Sequence, residues 1–177
     1  MARTRIGISG WNYPAWRGDF YPTGLRQRDE LAFAAARFAT IEVNGTFYSL
    51  KRPADFAAWH AATPDDFVFA LKGSRFLTHM KQLHEPHPAL ANFFAQGLLL
   101  LDDKLGPLLW QFPQRMRLDA RVAARFEAFF ALLPRDTHAA ALLAQQHGPQ
   151  VAGRTALVPG RKHRLRHAVE VRHESFC

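Results

Sequence analysis

Apolar positions along this chain alternate between a period of two and a period between three and four, so strand-like and helix-like stretches follow one another with little interruption. Ile6 to Trp11 reads as a short apolar strand. Leu31, Ala34 or Ala35, and Phe38 recur at helical spacing and predict an amphipathic helix over 27–38. Thr40 to Asn44 is a second strand. Pro53 suits the first turn of a second helix that carries Phe56 and Trp59, and Thr63-Pro64 stops it. Phe67 to Lys72 is a third strand. Pro88 opens a third helix with Leu90, Phe93 and Phe94, broken near Gly97. A fourth strand lies within Leu105 to Phe112, halted by Pro113. Asp119 is placed to N-cap a fourth helix with Val122, Phe126, Phe129 and Leu133 on one face. His138 to His147 predicts a short extra helix, Val151 to Arg166 a basic loop, and His167 to Val171 a fifth strand.

Five strands separated by helices predict an α/β fold of parallel β-α units with right-handed crossovers. Such a sheet is either doubly wound or part of a closed eight-stranded barrel. Gly7 and Gly10 lie within the first strand, and no glycine-rich phosphate loop follows, which weakens the nucleotide-binding forms of the open sheet. Polar residues at the C-terminal ends of several strands fit a barrel better, because barrel sites are assembled there.

Composition narrows the picture. With 177 residues, 48% hydrophobic and 12% aromatic, the chain is expected to fold as one domain, 1–177, with no linker or repeat. Its apolar runs, Gly97 to Leu101 among them, are too short to cross a bilayer. Met1-Ala-Arg-Thr-Arg-Ile-Gly-Ile8 has no signal-peptide pattern, so a cytoplasmic location is the expectation and no membrane partner is implied. A lone cysteine, Cys177, excludes an internal disulfide framework and a multi-thiolate metal site. The net charge of +8 suits an anionic partner and leaves nucleic acid open, although an Arg- and Ala-rich composition also arises from a GC-rich genome. Arg154, Arg161, Lys162, Arg164, Arg166 and Arg172 face Glu170 alone in the last stretch, the pattern of a solvated face or mobile loop.

The candidate chemistry sits where two apolar strands carry carboxylates. Glu42 and Asn44 face away from Ile41 and Val43, just as Glu170 and Arg172 face away from Val169 and Val171. A buried carboxylate is costly unless paired, so both strands point to a shared polar site at one end of the sheet. Glu42, Lys72 and Glu170 are the catalytic candidates. Glu42 or Glu170 exchanges a proton, two close carboxylates raising the pKa of one, while Lys72 and Arg172 hold an anionic group. Asn44, Gln111 and His173 lie at the same strand ends. Trp11, Tyr13 and Trp16 follow the first strand and either stack on a ligand or cap the core. Asp19, Phe20 and Tyr21 anchor that loop, Phe47 packs under the rim, and the Tyr48 hydroxyl is available to a ligand. The competing structural account is an internal salt-bridge network that fixes the fold without chemistry. No cofactor is required. A divalent metal remains open through His79 and His173 with the carboxylates, although the spacing of His79, His84 and His87 is not a specific ligand pattern.

Four ordered motifs carry a family resemblance: Ile8-Ser-Gly-Trp-Asn-Tyr-Pro-Ala-Trp-Arg-Gly-Asp-Phe-Tyr-Pro22, Ile41-Glu-Val-Asn-Gly-Thr-Phe-Tyr48, Leu105-Gly-Pro-Leu-Leu-Trp-Gln-Phe-Pro113 and Val169-Glu-Val-Arg-His173. They resemble the YecE-like family of domain-of-unknown-function proteins. Gly45 departs from the serine expected in that family, and residues 137–166 form a longer, basic insertion between the fourth helix and the fifth strand. The resemblance implies a TIM-barrel-like parallel β/α fold, present as roughly the first five β-α units of an incomplete barrel, and a bacterial cytosolic protein. It supplies no reaction. The residues themselves predict a barrel enzyme of hydrolase or lyase type acting on a small anionic or phosphoester substrate. The alternatives are a metal-dependent phosphodiesterase or endonuclease-like activity on nucleic acid, and a non-catalytic nucleic-acid-binding protein.

Overall fold

Five strands form one sheet in the computed structural model: β1 Gly7–Ser9, β2 Thr40–Val43, β3 Val68–Lys72, β4 Leu105–Gln111 and β5 His167–Glu170. The structure describes residues 4–177; Met1 to Arg3, which open the stretch tested above for a signal peptide, lie outside the described residues. Every neighbouring pair is parallel, and the spatial order is the chain order. A doubly wound sheet reverses its order at a switch point, whereas successive barrel units do not. The fold is therefore α/β with the sequential arrangement of barrel units.

The helices are α1 Glu30–Ala35, α2 Gly45–Tyr48, α3 Pro53–Ala61, α4 Pro86–Ala95, α5 Ala120–Leu132 and α6 Thr137–Ala144. They cover one face of the sheet. Ile41, Val43, Phe69, Leu71, Leu108 and Trp110 are buried against them, while the alternate positions Glu42, Ala70, Lys72, Leu109 and Gln111 are only half-buried. Trp110 anchors the helix side, with Phe93 and Phe129 ring centroids 5.4 and 5.1 Å away. Full burial of each such side chain is worth about 1.5–3 kcal/mol.

The caps follow the sequence. Asp119 accepts from the Val122 amide at 2.7 Å to start α5, and Asp136 does the same for Ala139 in α6 at 2.9 Å. Gly97 ends the stretch after α4 at φ +114, and a Cβ there would lie 2.7 Å from the Pro53 backbone, so only glycine fits. Lys104 is buried with its ammonium donating to the His60 and Thr63 carbonyls at 2.7 and 2.8 Å, which closes the C-terminal end of α3.

Three expectations change. The helix predicted over 27–38 is α-helical only at Glu30–Ala35: Gln27–Asp29 is a 3₁₀ turn, and Phe38 leaves the helix to approach Phe20 at 5.9 Å. The one-turn α2 was not read from the pattern. Residues 151–166 are not a loose loop, because Val151 and Leu165 are buried and the backbone bonds Ala156 N to Ala95 O (3.1 Å) and Leu165 N to Arg135 O (2.9 Å) dock them. Among the described residues no helix is long and apolar enough to cross a membrane.

Candidate active site at the C-terminal rim

Ile41 and Val43 point into the helix layer, so Glu42 faces the inner side of the sheet. The parallel register sets Ser9 opposite Glu42. There the Ser9 hydroxyl donates to Glu42 Oε1 at 2.8 Å, and the Asn44 amide donates to the same hydroxyl oxygen at 2.8 Å. Lys72, from the end of β3, places Nζ 3.4 Å from Glu42 Oε1. The Lys72 carbonyl in turn accepts from Thr46 at 2.7 Å, which ties α2 to β3. Four side chains from three strand ends thus form one network, with the hydroxyl of Ser9 held as donor to the carboxylate and acceptor from the amide.

A cleft of about 690 Å³ opens on this network, and Ser9, Asn44 and Lys72 line it. Trp11 and Trp59 line it too, packed edge to face at 5.5 Å. Tyr13, from the loop after β1, also borders it and holds its hydroxyl against the Ser9 carbonyl. Asn12 faces the cleft from the same loop, held by Arg17, which bonds the buried Glu30 at 2.7 Å and the Asn12 side-chain oxygen at 3.2 Å. Lys51 enters past Gly45: a Cβ on residue 45 would meet Lys51 Cε at 2.9 Å, so the missing side chain leaves room for the lysine stem. Asp55 lines the cleft as well, with one oxygen accepting from the Arg52 amide at 2.9 Å.

Further round the rim, Gln111 donates to Glu170 Oε2 at 2.7 Å and Arg172 donates to Oε1 at 2.6 Å. The Gln111 bond, against some opposition from burial and with help from Arg172 and Lys72, holds the Glu170 carboxyl below the usual carboxylate range. This is the reverse of the raised pKa expected from two repelling carboxylates. Lys72, which pairs with Glu42, thus also favours the ionised form of Glu170.

The remaining candidates separate. Trp16 does not line the cleft; it packs on Tyr13, Phe20 and Tyr21 at 4.6, 5.4 and 6.0 Å. Tyr21 is buried with its hydroxyl on the Trp11 carbonyl, and burial together with Glu30 pushes its pKa up to about 12. Tyr48 is exposed at the cleft edge. His79 bonds the Thr78 hydroxyl at 2.9 Å and packs edge-on against Phe47, and burial plus the charges of Arg115, Arg172 and Arg75 push its pKa down. His173 takes the Ser175 amide and caps the last turn. Arginines around one histidine and a capping role for the other do not fit a cation site. Among the described residues no three His, Cys, Asp or Glu side chains are grouped to hold a metal ion. Arg161 to Arg166 lead into the N-terminal end of β5, the opposite end of the sheet from the cleft.

Sequence reading missed Ser9, Asn12, Lys51, Asp55 and Trp59. The signal for Ser9 was present, since it alternates with Ile8 as Glu42 does with Ile41. Lys51 and Trp59 come from α2 and α3 geometry that no strand pattern carries.

The family model described as "Protein of unknown function DUF72" matches residues 5–177. The UPF0759 protein YecE of Escherichia coli is 27% identical over 108 residues, which is 61% of this chain and 37% of that protein. The UPF0759 protein YunF of Bacillus subtilis is 24% identical over 113 residues, 39% of its length. Among solved structures, a DUF72 family protein from Thermotoga maritima superposes with a TM-score of 0.61 at 27% identity, covering 71% of this chain and 50% of that one. One from Enterococcus faecalis gives 0.57 at 20% identity and supports the fold. The chain spans about half or less of the length of these relatives.

Proposed function

The chain belongs to the DUF72 family, a family of unknown function, and we propose that its rim cleft binds a small phosphoester anion and performs acid/base hydrolysis on it. The observation that carries this reading is the Ser9–Glu42–Lys72 network opening onto the cleft. Lys72 and Lys51 supply cationic donors. Arg75, Arg115 and Arg172, whose charges depress His79, make the neighbouring rim positive as well, and an anion gains from both.

Glu42 does not line the cleft, but the hydroxyl that donates to it does. Ser9 therefore serves as a relay. As a bound water attacks phosphorus, it passes a proton to Ser9 Oγ while Ser9 passes its own to Glu42, so that Ser9 ends neutral and Glu42 protonated. The P–O ester bond breaks with its electron pair on the leaving oxygen, which takes a proton from solvent and departs as the alcohol, and Glu42 returns its proton to solvent. Asn44 fixes the hydroxyl orientation that the relay needs. Glu170, held as an anion by Gln111 and Arg172, shapes the field around Lys72 without exchanging a proton.

The nucleic-acid readings gain less support. The metal-dependent one relies on His79, which faces the charges of three arginines, and on His173, whose Nδ1 caps the last turn. The binding-only one relies on the basic run before β5, which lies at the other end of the sheet from the rim aromatics. A panel of simple phosphoesters assayed with wild type and Ser9→Ala tests the proposal. Turnover that falls at least tenfold in kcat with KM little changed supports the relay. Equal turnover in both proteins removes it.

A further inference from the structure

We infer that the phosphoester taken by the cleft carries a planar ring, which seats in a second hollow on the far side of Tyr48; this rests on the anion-binding reading above. Tyr48 borders both spaces: the first cleft, with Lys51 and Lys72, and a neighbouring hollow of about 480 Å³ lined by Leu50, Phe76, Pro88 and Ala89. Tyr48 is 65% exposed, although its ring packs edge to face with Phe47, 5.1 Å away. A second link joins the two spaces: Lys51 Nζ, in the first, donates to the Ser49 hydroxyl, which lines the second, at 3.1 Å.

The two spaces differ in chemistry. The first offers ammonium groups, a hydroxyl and amides. The second offers Tyr48, Phe76 and the aliphatic carbons of Leu50, Pro88 and Ala89, with Ser49, Ser74, Lys81, Glu85, Asn92 and Gln150 as polar groups on its lining. Arg75 stands 5.6 Å over the Tyr48 ring, a cation next to an aromatic surface on which a flat heterocycle or aryl group stacks. An anion with a ring attached matches both halves, whereas a bare sugar phosphate leaves the apolar half unused.

The backbone around the second hollow is irregular. A π-helical turn, Phe76–Met80, is followed by Gln82, Leu83 and Glu85 at φ +46, +61 and +46. Non-glycine residues adopt such angles only when the surroundings enforce them, and π-turns and strained segments concentrate at ligand sites. Leu83 is buried and pins the segment. Phe76, which opens the π-turn, lines the hollow and stands 45% exposed.

Calorimetric titration separates this inference from the reading beneath it. Methyl phosphate, phenyl phosphate and adenosine 5′-monophosphate are titrated into wild type and Tyr48→Ala, at a protein concentration where sedimentation shows a single species. At least one ring-bearing probe should bind wild type tenfold or more tightly than methyl phosphate, the scale of one ring stack. Tyr48→Ala should weaken that ring-bearing probe at least tenfold more than it weakens methyl phosphate. If all three bind alike and Tyr48→Ala changes nothing, the ring inference falls and the anion site stands. If none binds, both fall.

Discussion

Lys72 Nζ lies 3.4 Å from Glu42 Oε1, and both side chains keep contact with solvent, at 17% and 25% exposure. A pair so placed is neither a sealed core bridge nor a free surface one. Breaking one partner of a fully buried pair costs about 3–5 kcal/mol, while exposed pairs contribute about 0–1 kcal/mol. Glu42→Gln keeps an acceptor for Ser9 and removes only the charge. The expected loss is below about 3 kcal/mol in denaturant melts at matched pH. A larger loss would make Glu42 an architectural residue.

How much of this was legible depends on what fixes each feature. Ile41 and Val43 flanking Glu42 are enough to place the strand and its polar face, because alternation is a local rule. The pairing of Gln111 with Glu170 is not local. It follows from the register that sets β4 beside β5, 59 residues apart in sequence. Hence the sequence identified both residues and placed them at one rim, but it left open whether Glu42 or Glu170 exchanges a proton, and the Gln111 and Arg172 bonds to Glu170 come only with the register. Trp16 and Trp59 show the same limit: both are aromatic residues near predicted element ends, and tertiary packing alone decides that Trp59 lines the cleft and Trp16 the loop.

A pH effect is expected at His167, away from the site. Its Nδ1 accepts from the Trp110 indole at 3.1 Å and its Nε2 meets the Pro134 carbonyl at 2.8 Å, an arrangement that needs the neutral ring. Burial, partly offset by the Pro134 bond, lowers its pKa from the usual 6.5, with Arg135 adding to the shift. The unfolded chain then binds a proton that the folded chain refuses. Stability is full above about 6.5 and falls as pH drops below that value. Denaturant melts over pH 5 to about 8 should show this slope in wild type and a flatter one in His167→Gln. Identical slopes would mean that His167 does not titrate differently on folding.

The β5 edge carries its own expectation. Val169 and Val171 are exposed beside Phe130 and Leu118, and β5 pairs on one side only among the described residues. Such an edge recruits other chains. Sedimentation velocity of the 177-residue chain should show concentration-dependent association that V169K/V171K suppresses. A monomer at every concentration, with or without the lysines, would show that the edge is inert.

Lys72, held by Glu42 at the rim, is expected to grip a phosphoester anion. Calorimetric titration of methyl phosphate into wild type and Lys72→Met at low ionic strength tests it most directly. Wild type should bind saturably and more weakly as salt is added, and Lys72→Met should lose at least tenfold in affinity, about 1.4 kcal/mol. Equal affinity in the two proteins, or no saturable heat with wild type, would contradict it.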